Sequence, residues 1–78
     1  MRAWRECLVS DPAICGGQIC ARGTRIPVSV ILDSFAEGAT RDEILRSYPT
    51  LQPEHLDAAL TYAAELAREE TLIPLQPR

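Results

Sequence analysis

The residues best suited to chemistry stand close together: Arg22-Gly23-Thr24-Arg25, inside the stretch GGQICARGTRIPV, residues 16–28. Two guanidiniums and a hydroxyl on a glycine-marked turn form a donor set for an anion, phosphate above all. All eight cationic residues of the chain are arginines, so two within four positions concentrate scarce charge on one turn. The structural alternative is that Thr24 and Arg25 hold the turn against the helices, with Arg25 bonded to backbone carbonyls or paired with a carboxylate.

Catalysis finds no constellation in the rest of the chain. His55 is the only histidine and lies far along the chain from Cys7, Cys15 and Cys20. The cysteines are odd in number and their gaps match no zinc spacing, so three reduced thiols acting as small apolar residues outweigh a metal site built from them and His55. GGQICARG lacks the Lys-Ser/Thr of a phosphate loop and the spacing of a dinucleotide turn. The expectation is a chain with no catalytic residue, no metal and no cofactor.

Charge divides the molecule. Residues 1–32 hold Arg2, Arg5, Arg22 and Arg25 against Glu6 and Asp11, while residues 33–78 hold four arginines against nine carboxylates. An anion would therefore meet the N-terminal third, and a basic partner the remainder. Seventy-eight residues suggest one domain with a thin core, which self-association commonly supplements. The apolar runs are too short for a membrane span and the N-terminus does not read as a signal peptide, so a cytoplasmic protein with no membrane association is expected.

These residues must be positioned by a few small elements. Residues 5–9 and 18–22 read as two short strands, separated by Ser10-Asp11-Pro12 and Gly16-Gly17, giving a β-ribbon across 5–22. From Pro27 the period changes: Val28, Ile31, Leu32 and Phe35 make one helical stripe, with Pro27 in the first turn and Gly38 just past the end. The first helix is thus expected over 27–37. Thr40-Arg41-Asp42-Glu43 reads as a capping box opening a second helix over 41–48, buried through Ile44, Leu45 and Tyr48 and stopped by Pro49. Pro53 opens a third helix over 53–69, with Leu51 and Leu56 placed as a hydrophobic staple. Its expected buried stripe is Leu56, Ala59, Leu60, Ala63, Leu66 and Ala67, with Asp57, Thr61, Glu65 and Arg68 opposite. That alanine-rich stripe also suits helix pairing within a homodimer. Residues 71–78 read as an extended tail, since Pro74 and Pro77 forbid helix.

In this order the segments resemble the domain-of-unknown-function family 433. The resemblance rests on Asp11-Pro12, Gly16-Gly17, RGTRIPV (22–28), EGATRDEIL (37–45), YPTL (48–51) and AALTYAA (58–64), and it covers residues 7 to about 67. The chain departs from the family pattern at Ile19-Cys20-Ala21, where a proline and aliphatic residues are usual, and at Gln52, where a Ser or Thr cap is common. The resemblance implies a mainly α fold: a homeodomain-like three-helix module carrying a helix-turn-helix, with a short N-terminal β-ribbon. It also implies a VapB-like antitoxin of a toxin–antitoxin pair, whose partner is a PIN-like ribonuclease and which can bind operator DNA to autoregulate.

Two functions then compete. In the first, the chain is an antitoxin-like protein that neutralises the nuclease through an acidic helix face, Asp57, Glu65 and Glu69, and through the apolar tail residues Leu72, Ile73 and Leu75. In the second, it is a free-standing helix-turn-helix regulator. The opening turns of its third helix offer Glu54, His55, Asp57 and Ala58, and carboxylates repel phosphate. DNA would then have to be held by Arg22, Thr24 and Arg25 of the ribbon turn, with Arg41, Arg2 and Arg5 assisting.

Overall fold

The computed structural model describes residues 4–13 and 15–69, with Cys15 and Glu69 given by their backbone. Three helices and a two-stranded antiparallel ribbon make up the fold. Strand β1 spans Leu8–Ser10 and β2 spans Ile19–Ala21, with Leu8 opposite Ala21, Val9 opposite Cys20 and Ser10 opposite Ile19.

The first strand starts three residues later than its sequence suggests. Trp4–Glu6 wind into a 3-10 turn, closed by the Cys7 N–H donating to the Trp4 carbonyl at 3.0 Å. The reason is aromatic: Trp4 meets Tyr62 of the third helix edge to face, ring centres 5.3 Å apart. Such a contact adds to burial, and an extended strand 5–9 would forgo it. A second 3-10 turn, Cys15–Gly17, returns the chain to β2. Gly16 and Gly17 take φ of 62° and 87° there, values that a side chain would strain.

Helix α1 covers Val28–Ala36. Pro27 is its N-cap and not its first helical residue: φ is −65° but ψ is 149°, and an isolated bridge ties it to Cys20. The ring fixes φ for either position, so the bridge decides. At the other end Gly38 has φ 96°. Its N–H donates to the Phe35 carbonyl and that of Ala39 to the Ser34 carbonyl, at 2.9 and 3.0 Å, which is the Schellman pattern.

Helix α2, Arg41–Ser47, opens on a complete capping box. The Glu43 N–H donates to Thr40 Oγ1 at 3.1 Å and the Thr40 N–H to Glu43 Oε1 at 2.8 Å. Tyr48, ahead of Pro49, leaves the helix with φ −127° and ψ 82°. Helix α3 then runs Pro53–Glu69.

The core lies where all elements meet. Cys7, Leu8, Ala21, Val28, Ile31, Ile44, Leu51, Leu56, Ala58 and Ala59 are buried in one cluster. Leu51 and Leu56, expected as a staple, are both inside it. The buried side of α3 differs from expectation. Leu56 and Ala59 are buried, but so are His55 and Ala58, whereas Leu60, Leu66 and Ala67 are exposed. The helix is rotated toward Tyr62 because the Trp4 turn and β1 pack on it as well as α1 and α2.

Candidate functional site

The ribbon turn is built by its own side chains. The Thr24 hydroxyl donates to the Ala21 carbonyl at 2.8 Å and accepts from the Ile26 N–H at 3.0 Å. Both of its capacities are engaged inside the turn. Gly23, at φ 83°, lets the chain reverse. Cys20 is wholly buried beneath, its thiol 3.9 Å from the Thr24 carbonyl. Cys7 and Cys20 are both buried and neither is in a disulfide.

Arg22 faces the first strand. Its Nε donates to the Glu6 carbonyl at 2.9 Å and a terminal nitrogen to the Leu8 carbonyl at 3.3 Å, while its own N–H donates to Cys7 at 2.8 Å. Thr24 thus has the structural role anticipated for it, and Arg22 adds a second tie between the turn and the first strand. Arg25 is exposed. With Gly23, Thr24, Ile26 and Thr50 it lines an open depression of about 630 Å³. That depression unites the two segments most diagnostic in the sequence, Gly-Thr-Arg-Ile and Tyr-Pro-Thr-Leu. Its apolar floor and single cation make it a poor phosphate cradle beside the donor clusters that phosphate sites use.

Arg41 and Asp57, assigned by sequence to opposite functions, meet each other. A guanidinium nitrogen of Arg41 lies 2.8 Å from Asp57 Oδ1, and both side chains are about half exposed. The pair ties α2 to α3, with the modest strength of a solvated ion pair. Glu65 pairs along α3 with Arg68 at 2.9 Å. Glu69 is the last residue of α3. Leu72, Ile73 and Leu75, and Arg2, lie outside the described residues.

At the mouth of α3 Gln52 is no conventional N-cap, and His55 completes the cap. The Gln52 N–H donates to His55 Nδ1 at 2.9 Å, and the His55 N–H returns to the Gln52 carbonyl at 2.9 Å. His55 stands where a capping box has Glu or Gln, and it is buried, 8% exposed. Its acceptor nitrogen is therefore spent on the backbone. Glu54 and Asp57 point outward on either side of it, both exposed.

These features define a small three-helix protein with a ribbon, whose exposed chemistry is an arginine turn and an acid-bearing third helix. The family model described as protein of unknown function, DUF433, matches residues 8–63, and the chain belongs to that family. It is 38% identical over 63 residues to the uncharacterized protein y4eO of Sinorhizobium fredii (strain NBRC 101917 / NGR234), covering 81% of this chain and 28% of that one. A crystal structure of a DUF433 member protein from Anabaena variabilis ATCC 29413 superposes with a TM-score of 0.72 at 36% identity. The match covers 81% of this chain and 62% of that one. The chain therefore spans under a third of the curated relative and under two thirds of the crystallised one. Among the described residues no helix is long and apolar enough to cross a membrane.

Proposed function

We propose that this chain is an antitoxin-like binding module, VapB-like in kind, that holds a PIN-like ribonuclease inactive, with its three helices arranged as in a homeodomain-like helix-turn-helix. One observation carries the choice. At the start of α3, where a helix-turn-helix protein would meet base edges, Glu54 and Asp57 face outward while His55 and Ala58 face inward. Carboxylates there oppose a polyanion and suit the basic substrate groove of a nuclease.

Co-expression with the product of the adjacent gene tests this. The expected result is a stable complex in which the ribonuclease is silent, weakened by Asp57→Arg with Glu65→Arg and by deletion of residues 71–78. A neighbouring gene that encodes no nuclease, or a complex indifferent to all of these changes, would sink the proposal.

Operator binding remains as a second function of the same molecule, favoured by the exposure of Arg25. Arg25→Ala should then remove retardation of a promoter fragment in a gel, while Asp57→Ala should leave it unchanged.

A further inference from the structure

Helix α3 continues past the body that supports it. Tyr62 still packs beneath Trp4, but beyond it Ala64, Leu66, Ala67 and Arg68 are exposed, and Ala63 and Glu65 are only partly covered. Leu60 and Leu66 are the large apolar side chains left open among the described residues, 41% and 45% exposed. Leu60, Ala63, Ala64 and Ala67 stand at i, i+3, i+4 and i+7, so they form one seam along the helix. A helix end draws most of its stability from packing, and this one has an apolar seam with no element of the described chain laid on it.

We propose that a second copy of the chain covers this seam, two α3 helices pairing antiparallel about a two-fold axis between Ala63 and Ala64. Read in reverse, the seam complements itself: Leu60 of each copy falls opposite Ala67 of the other, and Ala63 opposite Ala64. Large against small lets facing helices interdigitate and approach closely.

The charges beside the seam select the same arrangement. Asp57 and Arg68 are eleven residues apart, three helical turns, and so lie on one line along its flank. Antiparallel pairing brings each Asp57 near the Arg68 of the other copy. Each of these residues already has a partner in its own chain, Arg41 for Asp57 and Glu65 for Arg68. The rim then alternates Arg41, Asp57, Arg68 of the second copy and Glu65 of the second copy, and the two-fold repeats the series. Parallel pairing would put the two charged flanks on opposite sides of the seam, so that Asp57 and Arg68 of the two copies would not meet. This isologous contact shares Asp57 and Glu65 with the proposed nuclease contact, so it is tested on the chain alone, with no nuclease present.

Sedimentation of the full chain alone at tens of micromolar tests the proposal, with circular dichroism as the check on folding. The expected result is a dimer, shifted to monomer by Ala64→Glu with Ala67→Glu, both at exposed positions where the helix tolerates glutamate. Asp57→Arg and Arg68→Glu should each weaken self-association about tenfold, by repulsion across the rim. An equimolar mixture of those two variants should restore dimers, because opposite charges then face each other at both ends. A monomeric wild-type chain would overturn the proposal and leave the seam to residues 70–78 or to another protein. A dimer that survives both glutamates, or a mixture that fails to recover, would overturn it equally.

Discussion

Arg22 shows how one side chain can answer a question that its sequence only poses. On a turn with Arg25 it reads as an anion contact, yet two of its donors cover the carbonyls of Glu6 and Leu8. Those carbonyls lie fourteen and sixteen residues back in the chain, so the role is invisible until the ribbon register is known. Arg22→Ala should lower stability by about 1 kcal/mol, seen as an earlier urea midpoint. Arg22→Lys should recover little, since an ammonium cannot span two carbonyls as a planar fork does; full recovery would mean charge alone matters there. His55 is the parallel case. As a lone histidine it carried only a weak metal reading, whereas it serves as the cap of α3 through Nδ1. His55→Ala should cost about 1 kcal/mol through loss of the cap, and more through the space it empties. His55→Gln, which keeps an acceptor at the same position, should restore part of the loss. Indistinguishable Ala and Gln variants would show that only volume counts.

At the scale of elements, local signals were legible and packing was not. The capping box of Thr40 and Glu43, the glycine end of α1 and the proline stop after Tyr48 depend on neighbours within a few residues, and each stands where the spacing places it. Gly38 offers a clean measurement. Its φ is 96° and an added Cβ would meet nothing within 4 Å, so Gly38→Ala should lose about 1 kcal/mol from backbone strain alone. Gly38→Asn should lose less, because asparagine tolerates that region better. Equal losses in a thermal melt would contradict the assignment. The buried face of α3 departs from the expected stripe for a physical reason. Alanines fit a core and a surface equally well, and the period of the helix allows a rotation of its buried side. What fixes the rotation is packing from elsewhere in the chain: Trp4, outside every periodic segment, meets Tyr62, His55 caps the helix start, and Leu60 and Leu66 stay exposed.

On the scale of the whole molecule, the candidate surfaces are fewer than the sequence offered. Arg22 and Thr24 are committed to holding the ribbon turn, and Arg41 and Asp57 pair with each other. Among the described residues the exposed side chains of α3, carboxylates at its start and Leu60 and Leu66 further on, are where both proposals converge. The contact between Trp4 and Tyr62 has one more consequence, in time. It joins residues fifty-eight apart in the chain, whereas the caps and stripes of the helices join near neighbours. Closing so long a loop is entropically late, so helices can form before the N-terminal turn arrives. Trp4 is the only tryptophan and therefore reports that arrival alone. In stopped-flow refolding, far-ultraviolet ellipticity should recover faster than tryptophan emission, and Tyr62→Ala should change the emission phase while leaving the first phase almost untouched. If both signals recover together, the N-terminal turn belongs to the folding nucleus and not to its last act.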